Sequence, residues 1–338
     1  MTGPFKYRIK QLHKYIIFGV AVGDALGFPA QFEPRSERKS CPVVDMGKYL
    51  NTYRQIRSWG NQLTGLWSDD TSLTLCLAES LLIGFNLKDQ AEKFVAWLDE
   101  GYMSARDHAF DVGLQTTESL AKVRSILQNG RYDELDKLAS DADEWSNGNG
   151  SLMRILPLLV NIKGKGIYEQ FDLIHQASAL THPHIRSALC CFLFLKMAEY
   201  IINDSDKYTA FQSARQDTIV LMEYLNCADA EYKAMNRLLY SDLSILPEEE
   251  IDSGGYVVSS LEASIWCLLT TASYRESVLK AVNLGDDTDT TGAITGGLAA
   301  LLYGVESIPP NWIAELKKPE LFEDLISRYE KYSASGTE

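Results

Sequence analysis

The sequence predicts an all-α protein, because hydrophobic side chains recur at helical spacing along most of the chain and strand-like alternation is scarce and short. Leu73, Leu77 and Leu81 lie four residues apart, which is typical of a helix with one apolar face. No Pro/Gly/Ser-rich linker divides the chain. We therefore expect one large domain over residues 1–338, with a core of about 10–332.

The remaining elements follow from the same pattern. Phe94, Trp97 and Leu98 indicate a second helix, and the spacing of Leu173, Ala177 and Leu180 indicates a third. The apolar window 187–202 contains two charged residues and is too short to span a bilayer, so it predicts a buried core helix. The later predicted helices are 255–271, 291–303 and 317–332, and the predicted polar loops are 29–65, 141–150, 240–255 and 283–289.

Composition narrows the class of protein. Of 338 residues, 46% are hydrophobic and 23% charged, as in ordinary globular proteins. The net charge of −14 repels polyanions, so nucleic acid is not expected as a direct ligand. Six cysteines without C-x-x-C spacing predict neither a zinc site nor a disulfide framework, and they favour a reducing cytoplasm. The basic start is not followed by a cleavable apolar stretch, so no signal peptide and no membrane attachment are expected.

Two segments place carboxylates and hydroxyls immediately before an apolar helix. Segment 283–297, NLGDDTDTTGAITGG, carries three aspartates and no lysine or arginine, and segment 65–82 carries Asp69 and Asp70. Either these residues cap helices, or they hold a cation that offsets their mutual repulsion. Hard oxygen ligands suit Mg²⁺, Mn²⁺ or Ca²⁺ better than Zn²⁺ or Cu²⁺. If the two segments meet in space, their carboxylates balance two divalent ions.

Five motifs in a fixed order resemble those of the ADP-ribosylglycohydrolase family, an all-helical group that includes the dinitrogenase-reductase-activating glycohydrolases. The motifs are GVAVGDALGFPAQF (19–32), WSDDTSL (67–73), NGNGSLMRILPL (147–158), THPHIRSAL (181–189) and LGDDTDTTGAITGGLAALLYG (284–304). The resemblance covers nearly the whole chain. It implies a single multi-helix domain around a central cleft with two metal ions.

The resemblance also implies a ligand set for two divalent cations, Mg²⁺ or Mn²⁺. The residues that match the family's metal ligands are Ser68, Asp69, Asp70, Asp287, Asp289 and Thr290. Ser68 replaces the usual threonine but keeps the hydroxyl oxygen. Asp286 stands where glycine is common, and we expect it to lie behind the ligands or to face solvent.

Gln31 departs from the family pattern. Seven residues after Asp24, family members commonly carry a glutamate that reaches the metal centre or the scissile bond, whereas Gln31 is neutral. Gln31 still matches a catalytic position, together with Asp69, Asp70 and Asp287. Three alternatives stay open: the aspartates and a metal-bound water suffice, Glu33 reaches the site, or turnover is weak.

The substrate contacts that the resemblance implies lie mainly in glycine-bearing loops. Within NGNGSLMR (147–154), Gly148, Gly150 and Ser151 come just before a predicted helix that contains Met153, and such a loop exposes N–H groups to an anion. Asp24 either lines the site or makes a structural hydrogen bond. The complete implied set is Asp24, Gly113, Thr116, Gly148, Gly150, Ser151, Met153 and His182.

The implied reaction is hydrolysis of the bond between ADP-ribose and its acceptor, with two metal ions that orient the ribose and activate a water. Arginine in an ADP-ribosylated protein is the first expectation for the acceptor. One alternative is a serine-linked or small-molecule ADP-ribose conjugate. Another is an immunity-type protein that neutralises an ADP-ribosyltransferase partner by binding, and a third is a phosphatase or nucleotide hydrolase.

Overall fold

The computed structural model describes residues 11–47, 63–140 and 146–334. Regular secondary structure in these ranges is helical apart from an isolated β-bridge between Gly148 and Tyr256, so the all-α prediction is confirmed. Within the same ranges, no helix is both long and apolar enough to cross a membrane. Parts of the predicted loops 29–65 and 141–150 lie outside the described residues.

The helices are numbered in chain order. The first eight are α1 Leu12–Gly27, α2 Arg35–Ser40, α3 Asp69–Leu81, α4 Leu87–Glu100, α5 Leu114–Gln128, α6 Leu159–Ile162, α7 Ile167–Ala179 and α8 Ile185–Ile202. The others are α9 Lys207–Tyr224, α10 Asp229–Ala234, α11 Asn236–Tyr240, α12 Val257–Leu269, α13 Tyr274–Val282, α14 Thr288–Tyr303, α15 Pro310–Ala314 and α16 Pro319–Ala334. The predicted helices of the carboxyl half correspond to α12, α14 and α16.

The apolar window 187–202 forms α8, and nearly all of its side chains are buried. Helix α8 packs against α7, α9 and α12. The two charged residues in the window are accommodated because Lys196 donates to Glu199 over 2.6 Å within the same helix. The prediction of a buried core helix is confirmed.

Helices α1 and α14 cross the centre of the molecule antiparallel and in direct backbone contact. A Cβ atom on Gly23 would lie 2.0 Å from the carbonyl oxygen of Gly292, and a Cβ on Gly27 would lie 2.2 Å from that of Thr288. Only glycine permits this approach. The hydroxyl of Thr288 also donates to the carbonyl of Gly27 over 2.8 Å, so the end of α1 is fixed against the start of α14.

Candidate metal and ligand cleft

A buried carboxylate from α1 holds the start of α3. Asp24 accepts hydrogen bonds from the N–H of Ser68 (2.9 and 3.0 Å) and from the N–H and hydroxyl of Thr71 (3.0 and 2.6 Å). Burial raises the pKa of Asp24 to about 7, although these hydrogen bonds oppose the rise. The geometry favours a structural hydrogen-bonding role for Asp24 over direct contact with a substrate.

The start of α14 meets the start of α3. Thr290 donates through Oγ1 to Oδ2 of Asp70 over 3.4 Å, although the two residues are 220 positions apart in the chain. Ser68 also donates to this oxygen over 3.1 Å, while its own hydroxyl oxygen caps α3 by accepting the N–H of Asp70. Asp287, by contrast, precedes α14 without capping it. Capping therefore accounts for Ser68 and leaves the Asp287 carboxylate for another role.

The four aspartates of these two helix starts all have a raised pKa. For Asp69, Asp70 and Asp289 the pKa is well above its usual value, first because of burial and then because of neighbouring carboxylates. Burial also raises the pKa of Asp287, which is partly exposed, although the hydrogen bond from Asn149 opposes the rise. Asp111 contributes to the repulsion on Asp69 and Asp289. The site thus concentrates negative charge where water does not fully solvate it.

Two oxygens of this cluster have chemistry that suits a hard cation. Oδ1 of Asp70 and Oδ2 of Asp289 are buried and have no hydrogen-bond partner among the described residues. Buried carboxylate oxygens of this kind are strongly destabilising unless a positive charge meets them. No group of three or more His, Cys, Asp or Glu side chains in residues 11–47, 63–140 and 146–334 is arranged to hold a metal ion. The donor types fit a divalent ion, while the arrangement is not that of a formed ligand sphere.

A cleft of about 420 Å³ opens over the aspartates. The residues expected at the site that line it are Gln31, Asp69, Gly113, Thr116, Gly148, Gly150, Met153, His182, Asp287 and Thr290. The expected residues that lie outside its lining, all fully or almost fully buried, are Asp24, Ser68, Asp70, Ser151 and Asp289. The lining residues that the sequence analysis did not single out include Phe32, Asp111, Asn149 and Gly255.

Asn149 connects the glycine-rich loop to the acidic segment. Its side-chain amide donates to Oδ2 of Asp287 over 2.7 Å and to the hydroxyl of Ser260 over 2.9 Å. Its backbone N–H donates to the carbonyl of Gly255 over 3.1 Å. Asn149 therefore orients Asp287, and its place between two glycines of NGNG was the signal available in the sequence.

The helix expected to contain Met153 is absent. Turns occupy residues 151–154, followed by a short 3₁₀ helix at Leu156–Leu158. Pro157 explains the difference, because it lacks the N–H group that would donate to the carbonyl of Met153 in an α-helix. Among the described residues, the N–H groups of Gly150 and Ser151 have no hydrogen-bond acceptor. The loop can thus still offer donors to an anion, but without a helix behind it.

The N-terminus of helix α5 also borders the cleft. Gly113 precedes α5, a helix of 15 residues, and Gly113 and Thr116 both line the cleft. The first N–H groups of an α-helix lack partners within the helix, and the helix dipole makes this end positive. The α5 start is therefore suited to a phosphate group.

His182 lies beneath the glycine-rich loop. Its Nδ1 is 2.8 Å from the hydroxyl of Thr181, and burial, followed by the charge of Arg154, lowers the pKa of its imidazole to about 3. The ring is neutral at physiological pH and supports the loop by contact. Arg154 itself is fully buried and donates to the carbonyl of Gly150, so a positive charge stands behind the loop.

The resemblance implies ADP-ribose as the ligand of this loop, so substituting alanine at Gly150 should weaken binding of ADP-ribose without unfolding the chain. The new Cβ would lie 2.7 Å from Cε1 of His182 and 3.3 Å from Oγ1 of Thr116, so the loop must shift. We expect about a tenfold rise in Kd for ADP-ribose, equivalent to ~1.4 kcal/mol, measured by titration calorimetry. Gly166→Ala is the matched control, because nothing lies within 4 Å of its Cβ position. An unchanged Kd for the Gly150 variant would contradict a role for this loop in binding.

Gln31 faces the cleft, whereas Glu33 does not line it. Glu33 is buried and forms an ion pair with Arg38, which is also buried. The alternative in which Glu33 takes the place of the family glutamate is therefore not favoured by the geometry. The other two alternatives for Gln31 both remain compatible with its position.

Arg35 connects the loops that border the cleft through hydrogen bonds to their backbone carbonyls. Its guanidinium donates to the carbonyls of Leu284 (2.8 Å), Glu248 (2.6 Å) and Ile251 (2.5 Å). The chain before α2 is also paired with the acidic loop, since Asp286 donates its N–H to the carbonyl of Glu33 over 2.8 Å. The Asp286 side chain itself is exposed. These bonds fix the segment carrying Gln31 against the segment carrying Asp287.

A larger hollow of about 650 Å³ lies elsewhere, between α2 and α13. Its cations have partners within the chain: Lys39 is 3.3 Å from Glu248, and Lys280 donates to Thr270 over 2.7 Å and lies over the ring of Trp266. The hollow lacks the clustered carboxylates of the cleft. The cleft over the aspartates is therefore the candidate functional site.

Comparison with known proteins gives consistent matches. The family model for ADP-ribosylglycohydrolase matches residues 11–337. The chain is 30% identical over 317 residues to ADP-ribosylarginine hydrolase Tri1 of Serratia proteamaculans (strain 568), covering 93% of this chain and 78% of that protein. It is 26% identical over 322 residues to ADP-ribosyl-[dinitrogen reductase] glycohydrolase of Rhodospirillum rubrum, covering 94% and 92%. A solved structure titled ADP-ribosylglycohydrolase-related protein complex superposes with a TM-score of 0.68 at 27% identity, covering 96% of this chain and 99% of that chain.

Proposed function

Because the chain belongs to the ADP-ribosylglycohydrolase family, a family of hydrolases, we propose that it releases ADP-ribose from modified arginine in proteins. The observation that carries the proposal is the meeting of two acidic helix starts under one cleft whose walls include glycine-bearing segments suited to an anion. Relatives named for hydrolysis at ADP-ribosylarginine support arginine as the acceptor. We also infer that the helices form one catalytic domain. A cytoplasmic location stays a prediction.

The family is generally dependent on divalent metal ions. The residues that would hold two such ions, Mg²⁺ or Mn²⁺, are Ser68, Asp69, Asp70, Asp287, Asp289 and Thr290. When bound, the ions would supply Lewis-acid polarisation to the ribose hydroxyls and to a water.

Residues of the chain itself would bind the pyrophosphate and orient the distal ribose. N–H groups of the glycine-rich loop and the α5 start would bind the pyrophosphate, because both present donors to the cleft. Asn149 holds the Asp287 carboxylate in one orientation through its 2.7 Å hydrogen bond. Asp69 and Asp287 face the cleft and would orient the distal ribose so that the bond to the acceptor is presented to water.

A cationic acceptor suits this cleft. Asp111 lines the cleft near Asp69 and is not among the expected metal ligands, so its carboxylate would leave a negative charge that favours a guanidinium over a neutral acceptor. Gln31 adds no charge and cannot usefully accept a proton, so the aspartates and a metal-bound water would have to serve in place of the family glutamate.

The direct experiment incubates the purified chain with Mg²⁺ or Mn²⁺ and a protein ADP-ribosylated on arginine. We expect release of free ADP-ribose, and loss of release in Asp69→Ala and Asp287→Ala. Release only from serine-linked or O-acetyl conjugates would reassign the acceptor, and formation of AMP would indicate a nucleotide hydrolase.

The alternative of an ADP-ribosyltransferase partner rests on Gln31, which faces the cleft where the family commonly has a carboxylate. The same two variants separate the functions. A protein that acts by binding alone keeps its partner after either substitution, whereas an enzyme loses its activity.

A further inference from the structure

Phe32 has an unusual backbone and an unusual environment. Its φ angle is +65°, a left-handed conformation that bulky side chains rarely adopt. Its N–H donates to the carbonyl of Asp286 over 2.6 Å, so pairing with the acidic loop imposes this conformation. The ring gains no burial from it, since the residue is 70% exposed. Strain of this kind with no packing benefit points to a role in function.

Phe32 lies on the border of the cleft, on the side of the acidic loop. It lines the cleft next to Gln31, and its backbone partner Asp286 immediately precedes Asp287. These contacts place Phe32 on the border of the cleft beside Asp287, the carboxylate that the proposed function assigns to the distal ribose. Phe32 thus stands beside the place where the distal ribose meets its acceptor, and its ring is turned to solvent.

We propose that the Phe32 ring contacts the polypeptide on either side of the modified arginine, and that it determines selectivity for protein-linked ADP-ribose over small conjugates. This inference rests on the proposed function. The acceptor polypeptide is too large for the cleft and must lie against its exposed border on the acceptor side. An exposed aromatic ring there excludes water from the contact and binds backbone and apolar side chains at little entropic cost.

The test compares Phe32→Ala and Phe32→Gly with the wild-type chain. The substrates are a protein ADP-ribosylated on arginine and free ADP-ribosyl-arginine, and the Kd of ADP-ribose is measured alongside. We expect the KM for the protein substrate to rise about tenfold in both variants, with the KM for ADP-ribosyl-arginine and the Kd of ADP-ribose unchanged. Glycine tolerates a positive φ and alanine does not, so equal effects identify the ring, not the backbone, as the cause. Ile245→Ala, which removes an equally exposed apolar side chain outside the cleft, should change nothing.

The outcomes are distinguishable. Wild-type turnover with an unchanged KM for the protein substrate in both variants overturns this inference alone. Equal losses for both substrates, or weaker binding of ADP-ribose, also overturn it, because the ring would then hold ADP-ribose itself. Absence of wild-type turnover on either substrate contradicts the proposed function, and this inference with it.

Discussion

Asp70→Asn should abolish activity and at the same time stabilise the metal-free protein. Oδ1 of Asp70 is buried without a hydrogen-bond partner among the described residues, and its pKa is raised by burial and by Asp24, Asp69 and Asp287. An amide of the same shape removes one repelling charge. We expect turnover to fall by more than about 100-fold. In EDTA at neutral pH, Tm should rise by ~3 °C or more, measured by scanning calorimetry.

The pH dependence of this gain has a definite sign. The folded-state pKa of Asp70 lies above its ordinary value of 3.8, so the folded protein binds the proton more tightly than the unfolded chain. The wild-type chain therefore loses stability as pH rises from about 4 toward the folded pKa. The advantage of Asp70→Asn should vanish near pH 4 and grow as pH approaches neutrality. With saturating Mn²⁺ the order should reverse, because only the wild-type chain retains its full ligand set.

Asp24→Asn is the matched control. Asp24→Asn also removes a charge that acts on Asp70, but Oδ2 of Asp24 accepts from three donors and Oδ1 accepts the N–H of Ser68, so the amide nitrogen must face at least one donor. This variant should lose about 1–3 kcal/mol with or without metal. An Asp70→Asn protein that is less stable than wild type in EDTA at neutral pH would show that the acidic cluster is not under electrostatic strain.

Gly23→Ala should produce the largest loss of stability. The added Cβ would lie 2.0 Å from the carbonyl oxygen of Gly292 and 2.9 Å from the backbone nitrogen of Ala293, and neither atom can move without displacing α14. Overpacking against backbone should cost ~3 kcal/mol or more, read as a lower midpoint in urea denaturation. Activity should fall as well, since α1 and α14 position Asp24 and Asp287.

Gly166→Ala serves again as the control, because its Cβ position is empty within 4 Å and its φ is −65°. Its denaturation midpoint should stay within experimental error of wild type. A Gly23→Ala protein with wild-type stability would mean that the two central helices are not in backbone contact.

Local patterns in the sequence predicted the helices well, because helical periodicity is written into neighbouring residues. The buried helix at 187–202 is the clearest case, and its burial followed from an almost continuous apolar run. The helix expected at Met153 was wrong because Pro157 stops it, a signal that was present in the motif but not weighed. The pairing of α1 with α14 was not predicted, although Gly19, Gly23 and Gly27 lie four residues apart. A single sequence does not show which distant helix such a glycine face contacts.

The candidate site divides in the same way. The sequence showed which residue types the two acidic segments contain. Whether these segments meet in space could be answered only by the tertiary structure. Asn149 lay inside a motif already noted and Asp111 lies two residues before Gly113, but both carry meaning only through their positions on the cleft wall. The hydrogen bonds of Arg35 join residues more than 200 positions apart, so no local pattern predicts them. Phe32 is informative through its φ angle, which sequence does not show.

Uptake of divalent cations tests the central claim most directly. Titration calorimetry of the metal-free chain with Mn²⁺ or Mg²⁺, checked by equilibrium dialysis, should show two ions per chain in the wild type. Asp289→Asn, which alters the second buried oxygen without a partner, should weaken or remove this uptake while the helical circular dichroism is retained. If the folded wild-type chain takes up neither ion at millimolar concentration, the account of the acidic cluster as a two-cation centre is contradicted.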